Sequence, residues 1–195
     1  MMIESITSTQ WEQHKSAVIL GLHHVRHADI TAAYALLIEA ARSHYPVFVA
    51  GNGASAALSQ HWACDHLKGS SGDTYSNHVL SLASNMALIT AIGNDYGYDQ
   101  IFTEQLKRHT RITTDGVVIL ISASGKSPNI IHTANFIAAE RPSLRSISLT
   151  GFDGEPLRSS SDVNLHVPLR EYEAVEDVHN AIMHTFAKLL RAELT

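Results

Sequence analysis

Two pairs of side chains have the types and spacing to move protons or hold a cation. His61 and Asp65 lie four residues apart in SQHWACDHLKG, so on a helix they share one face. Glu176 and His184 lie eight apart in EDVHNAIMH, about 80° from each other around a helix axis at 3.6 residues per turn. Two imidazoles and two carboxylates suit zinc or another first-row divalent ion, and equally a metal-free acid/base pair. His179 on the same helix is open to ligation or to packing. The two pairs are far apart in the chain, so spacing does not show that they meet.

A second kind of chemistry is written at two strand-to-helix turns. The apolar run Val47-Phe48-Val49-Ala50 reads as a buried strand, Gly51-Asn52-Gly53 breaks it, and Ala54, Ser55, Ala56 and Ala57 open a helix. That build points backbone N–H groups and a hydroxyl at an anion. Further on, Val117–Ile121 is the most strand-like run of the chain, and Ser122-Ala123-Ser124-Gly125-Lys126-Ser127 follows it before another helix. Hydroxyls and free N–H groups there suit a phosphate, with each charge-assisted bond worth roughly 1.5–3 kcal/mol. A turn whose serines only cap a helix is the alternative, weakened by there being two such turns. No complete G-x-x-x-x-G-K-[ST] triphosphate loop is present, and Gly51-Asn52-Gly53 does not extend to the G-x-G-x-x-G dinucleotide pattern, Ala54 and Ala56 occupying the positions that follow.

The elements that must position these residues alternate along the chain. Two helices come first, from about Thr9 to Ala28 and from Ala32 to His44, the second capped by Asp29 or Thr31. They either cover the sheet or pack against a partner subunit. A polar loop, Lys68 to Asn77, leads to a strand at His78 to Ala83, a helix around Asn85 to Ile92, and the turn-rich Gly93-Asn94-Asp95-Tyr96-Gly97. Tyr98 to His109 reads as one helix with Ile101, Phe102, Gln105 and Leu106 on one side. After the serine turn come a helix to about Glu140, strands at Arg145–Thr150 and Asp162–Val167, and a long helix from Glu173 to Ala192. Near-continuously apolar strands alternating with helices predict an α/β three-layer sandwich around a parallel sheet. The reading is a single domain over 1–195, with residues 1–45 forming an N-terminal helix pair.

Composition excludes other classes. The formal charge of −5 argues against a nucleic-acid surface, which needs a basic patch. The single Cys64 rules out an internal disulfide framework and fits a reducing compartment. No apolar run approaches transmembrane length, and Met1-Met2-Ile3-Glu4 lacks a basic n-region, so no membrane role and a cytoplasmic location are expected. Thirteen His are many for 195 residues, and His14, His23, His24 and His27 crowd the first helix, where a surface or packing role outweighs metal binding.

Beyond these local readings, GNGASAALSQHWACDHLKG, ITAIGNDYGYDQIF, ISASGKSPN, SLTGFDGEPL and VEDVHNAIMH together resemble the SIS (sugar isomerase) domain of phosphoheptose isomerases, which act on sedoheptulose 7-phosphate. The resemblance runs from about Val47 to the end, and the N-terminal helix pair is also expected of that family. It implies a five-stranded parallel sheet of flavodoxin-like type and a homotetramer with active sites shared between subunits. It places phosphate-binding hydroxyls on Ser55, Ser122, Ser124 and Ser127, with Gly53 and Ala123 beside them, and substrate contacts on Asn52 and Asp95. It places zinc ligands on His61, Asp65, Glu176 and His184, and the catalytic pair on Asp65 and His184.

Three departures from the family pattern stand out. Asp65 replaces a Glu, Glu176 replaces a Gln, and Gly69 after Lys68 replaces an Arg, as in a subgroup associated with nucleotide-sugar or capsule heptose routes. The shorter Asp65 opens the role of base to Glu176, and the added carboxylate favours a divalent cation. The implied activity is an aldose–ketose isomerisation of a phosphosugar by metal-assisted enediolate proton transfer. The alternative is a non-catalytic SIS protein that binds a phosphosugar or a partner, as the replication-initiator-associating protein does. That protein departs from the isomerase pattern at the last-helix His, which this chain keeps as His184.

Overall fold

The computed structural model describes residues 2–69 and 78–194. In chain order the elements are α1 (Met2–His24), α2 (His27–Arg42), β1 (Val47–Gly51), α3 (Ala54–Gly69), β2 (Val79–Ser81), α4 (Met86–Asp95), α5 (Thr103–His109), β3 (Gly116–Ser122), α6 (Pro128–Glu140), β4 (Leu144–Gly151), β5 (Val163–Val167) and α7 (Tyr172–Leu194). Two 3-10 turns, Tyr98–Gln100 and Leu157–Ser160, are inserted before α5 and before β5. Apart from Lys68 and Gly69, which end α3, the polar loop expected over Lys68–Asn77 lies outside the described residues. Among the described residues no helix is long and apolar enough to cross a membrane.

The five strands are all parallel, in the order β2-β1-β3-β4-β5. Every residue of β1 and of β3 is buried, which is why both read as unbroken apolar runs rather than as alternations. Successive side chains go to opposite faces. Val47, Val49, Val117, Ile119 and Ile121 pack under α2, α3 and α7, whereas Phe48, Ala50, Val118 and Leu120 pack with Ile92, Phe102, Leu106 and Ile130 from the helices of the other layer. α3 and α7 therefore lie side by side on one face. Trp62 and Phe186, both fully buried, meet there with ring centroids 6.1 Å apart. α7 stays on that face through a continuous stripe, Val175, Val178, Ile182, Phe186, Leu190 and Leu194.

The helix boundaries differ from those expected in instructive ways. α2 begins at His27, not Ala32, and no side chain caps it. Asp29 sits in its first turn and accepts from Nε and Nη2 of the preceding Arg26, both at 2.7 Å. A carboxylate beside the positive end of a helix does electrostatically what a cap does by hydrogen bonding. The expected strand His78–Ala83 is only Val79–Ser81, because Ser81 turns the chain: its carbonyl accepts from Ser84 Oγ at 2.7 Å and its hydroxyl meets Ser59 Oγ at 2.7 Å. The single helix expected over Tyr98–His109 is broken at Ile101–Phe102, although Ile101, Phe102, Gln105 and Leu106 are all buried as one face.

The two N-terminal helices pack differently. α2 covers the sheet with Ala33, Leu37, Ala40 and Ala41. α1 lies on α7 and the end of β5, held by His14, whose Nε2 is 2.8 Å from Asp177 and Nδ1 3.6 Å from Glu171. It leaves Ile3, Ile6, Trp11, Ile19, Leu20 and Leu22 exposed.

Candidate active site

Between β1 and β3 the chain's direction of travel across the sheet reverses, since β1 is followed outward by β2 on one side and by β3 on the other. At such a switch point the loops leaving the strand ends diverge and open a crevice. Both glycine- and serine-rich turns leave at this crevice. Gly51 closes the first: a Cβ there would lie 2.6 Å from the Ser55 carbonyl oxygen, so only glycine lets the opening turn of α3 fold onto the end of β1. Gly125 does the same for the second, at φ +72° and with its would-be Cβ 2.1 Å from the Gly154 carbonyl oxygen.

The result is a small cavity of about 170 Å³ lined by Asn52, Ser55, Ser122, Ala123, Ser124, Ser127, Tyr172 and Glu176. Ser122 and Ser127 hydroxyls are 3.1 Å apart, and Ser124 Oγ accepts from the Lys126 backbone N–H at 3.2 Å. The N-termini of α3 and α6 both open here, and Ser127 at the α6 cap makes no side-chain cap bond. First-turn N–H groups lack intrahelical partners, so this is a cradle for an anion the size of phosphate. Its one ionisable lining side chain other than Tyr172 is Glu176.

Ser55 and Glu176 also line a second cavity of about 400 Å³, with His61, Asp177, His179 and Asn180. The two hollows thus form one groove. Beyond it, His61, Asp65 and His184 each offer a donor atom, all within 4.8 Å of one another. His61 Nε2 is 3.5 Å from Asp65 Oδ1, His184 Nε2 is 3.7 Å from Asp65 Oδ2, and the two imidazoles stand edge to face with centroids 5.0 Å apart. The pairing of α3 with α7 is what brings residues from distant parts of the chain together. Two imidazoles and a carboxylate, with no fourth donor grouped with them among the described residues, match the open coordination of a catalytic divalent ion, so the residues present fit one.

Glu176 is not part of that cluster. Burial raises its pKa above the ordinary carboxylate value, and the charges of Glu173 and Asp177 add to the effect. It therefore holds a proton more readily than a surface carboxylate. Asp95 lies exposed at the end of α4, its Oδ1 accepting from Asn94 at 2.9 Å, and is not among the residues lining either hollow.

Two residues at the site, Asn129 and Asn180, are given no role by the sequence alone. Asn52 exchanges two 2.9 Å hydrogen bonds with Asn129 and accepts a third, also 2.9 Å, from the Tyr98 hydroxyl, so its amide is fixed from the first turn of α6 and from the 3-10 turn before α5. Asn180 lies midway between Glu176 and His184 at i+4 from the first and i−4 from the second, a spacing that would have flagged it. Its Oδ1 is buried without a partner. His179 is wholly buried; burial lowers its pKa to about 4, and its Nε2 faces the Thr150 carbonyl at 3.3 Å. It is thus a packed neighbour rather than part of the cluster.

The SIS domain model matches residues 10–151 of this chain. The phosphoheptose isomerase of Geobacter sp. (strain M21) is 33% identical over 165 residues, covering 85% of this chain and 84% of that protein. The chain belongs to the SIS-domain family, on its phosphoheptose isomerase branch. The phosphoheptose isomerase of Helicobacter pylori (strain Shi470) is 30% identical over 183 residues, 94% of this chain and 93% of its own. Among solved structures, a phosphoheptose isomerase from Francisella tularensis superposes with a TM-score of 0.84 at 25% identity, over 98% of this chain and 99% of that one. One from Neisseria gonorrhoeae gives 0.85 at 24% identity, over 97% and 99%. The five-stranded parallel SIS fold expected from the sequence is therefore the one observed.

Proposed function

We propose that this SIS-family protein is an aldose–ketose isomerase of a phosphorylated sugar, with sedoheptulose 7-phosphate the substrate and a heptose 7-phosphate the product. The observation that carries this reading is a single groove: an uncharged hydroxyl cradle at one end and an imidazole–carboxylate cluster beyond the other, with Glu176 and Ser55 on the wall they share. Ser55 and His61 differ by six residues, about 9 Å of rise along α3, which suits an extended sugar chain held by its phosphate.

The hydroxyls of Ser55, Ser122, Ser124 and Ser127 and the N-termini of α3 and α6 grip the phosphate, and Asn52 orients the adjoining hydroxyls. Fixing the substrate this way supplies several kcal/mol of the barrier by positioning alone. A proton leaves C1, its electron pair forms the C1–C2 double bond, and the C2 carbonyl oxygen takes up the charge. Reprotonation at C2, with the C1 hydroxyl proton passing to the C2 oxygen, leaves the aldehyde and a C2 hydroxyl. His184 carries one proton and Glu176 the other, since Asp65 is engaged between two imidazoles and Glu176 has the raised proton affinity. His61, Asp65 and His184 would hold a divalent ion, zinc by the chemistry of the donors, and that ion would polarise the substrate oxygens and offset the enediolate charge. The exposed apolar face of α1 supports self-association, as a homotetramer.

The test is NMR of sedoheptulose 7-phosphate with the purified protein in deuterated water, alongside metal analysis. Solvent deuterium entering the sugar as aldose forms is the expected result. No exchange with this or any other five- to eight-carbon phosphoketose would favour a binding protein instead.

A further inference from the structure

We propose that the groove beside the free edge of β5 is a second anion site, one that takes a small phosphate-bearing molecule away from the serine cradle. The site stands whether or not the protein isomerises a sugar. The cavity measures about 560 Å³ and lies between the turn joining α1 to α2 and the 3-10 turn Leu157–Ser160. That volume falls within the roughly 300–1,000 Å³ of small-molecule pockets. Its polar lining includes His24, Arg26, Arg158, Ser161, Asn164 and His166.

The carboxylates in and around the cavity are already engaged. Asp162 accepts from the Ser146 backbone N–H at 2.7 Å, the Ser146 hydroxyl at 2.8 Å and Arg145 Nε at 3.0 Å. Asp29 takes two nitrogens of the Arg26 guanidinium, at 2.7 Å each. Glu155 and Asp153, the other acidic groups that act on His166, are held by the Ser159 hydroxyl at 2.6 Å and by Lys126 Nζ at 3.0 Å. Arg158 differs. It is exposed on its turn, and its guanidinium has no hydrogen-bond or ion-pair partner among the described residues. Burial, and after it the positive charge of Arg158, hold the His166 imidazole below its usual pKa.

An unpaired guanidinium crowding an imidazole is an arrangement that an anion relieves. His166 Nδ1 already meets Thr150 Oγ1 at 3.0 Å, which leaves Nε2 for a ligand. Arg158 supplies a planar fork of donors, while Ser161 Oγ already donates to the Leu157 carbonyl at 3.1 Å and the Asn164 amide to Ser148 Oγ at 2.7 Å and Thr150 Oγ1 at 3.0 Å, so the guanidinium and the imidazole are the groups left to meet the oxygens of one dianion. Among the described residues β5 pairs only with β4, so its outer edge carries backbone groups without a strand partner. Phosphate is the shared chemistry, free or as the ester of a hydroxylated metabolite.

The experiment titrates the full chain with inorganic phosphate and, separately, with glycerol 3-phosphate, following the His166 imidazole by ¹H–¹³C NMR. His166→Gln assigns the signal. The expected result is a saturable His166 shift, with the pKa of that imidazole rising as ligand binds. Ser124→Asp, which blocks the serine cradle, leaves the titration within about twofold. Arg158→Gln weakens it by about tenfold or more, the loss of one charge-assisted hydrogen bond, and Arg158→Lys weakens it less. Tighter binding of glycerol 3-phosphate identifies an ester as the occupant, and equal or weaker binding identifies free phosphate. The proposal is overturned by no saturable His166 shift with either probe. It is equally overturned by a shift that Ser124→Asp abolishes or that Arg158→Gln leaves untouched.

Discussion

The serine cradle and the imidazole–carboxylate cluster serve one groove but are built on opposite plans. The cradle uses short side chains at strand ends, where Ser55 and Ser122 are only 6% and 4% exposed and the backbone itself supplies donors. The cluster uses longer side chains on the outer rows of two helices, with His61, Asp65 and His184 exposed by 44%, 28% and 47%. Short groups on a packed sheet hold a fixed shape, which suits a grip that does not change during a reaction. Longer groups on helix faces keep rotamer freedom, which suits ligation and proton movement. The cradle should therefore govern affinity and the cluster turnover.

The largest break in that division comes from His184→Ala. Losing a proton carrier should lower kcat by about 10²–10⁴ while KM stays within a few-fold, as steady-state kinetics on sedoheptulose 7-phosphate would show. Wild-type kcat in this variant would strip the cluster of its catalytic part. Ser124→Asp is the converse. It sets a carboxylate against the phosphate and should raise KM about 10- to 100-fold, the worth of one charge-assisted contact, with a smaller change in kcat. An unchanged KM would put the phosphate elsewhere.

Glu176 lies on the shared wall and sharpens the comparison through pH. Because burial raises its pKa, the ionised form accumulates at a higher pH than for a surface carboxylate, and kcat/KM should climb with pH through that raised value. Glu176→Gln should erase this acidic limb; a limb that persists unshifted belongs to another group. The smallest effect concerns the frame rather than the chemistry. His179 is neutral in the fold, with a pKa of about 4 against 6.5 when free. Between these values the unfolded chain binds the extra proton, so stability is full above pH 6.5 and declines as pH falls towards 4. The total is roughly 3 kcal/mol at 1.36 kcal/mol per unit. Urea unfolding across that window should show the slope, and His179→Gln should flatten it.

The cradle was legible because its signal is local. Gly51-Asn52-Gly53 and the Ser122–Ser127 turn each sit directly after an apolar run, so strand, turn and helix start are read in one stretch. Asn129 escaped notice because its value lies in its partner, Asn52, across the sheet's crevice. The break in Tyr98–His109 escaped too. Ile101, Phe102, Gln105 and Leu106 keep one buried face at helical spacing across the break, and nothing in the local pattern announces that the Tyr98 hydroxyl must reach Asn52. The early start of α2 was hidden because Asp29 was read as a cap, whereas its carboxylate pairs with Arg26 inside the first turn.

What the amino-acid order determined alone was the alternation of strands and helices, the parallel sheet, and the place of the hydroxyls at strand ends, because periodicity and turn chemistry act over a few residues. Only the tertiary structure decided that His184 meets His61 and Asp65 while Glu176 stands apart between the two hollows. That choice depends on how α3 and α7 pack over the same sheet face around Trp62 and Phe186. Helix rotation and offset arise from the sum of many contacts across the core, and no stretch of sequence contains them.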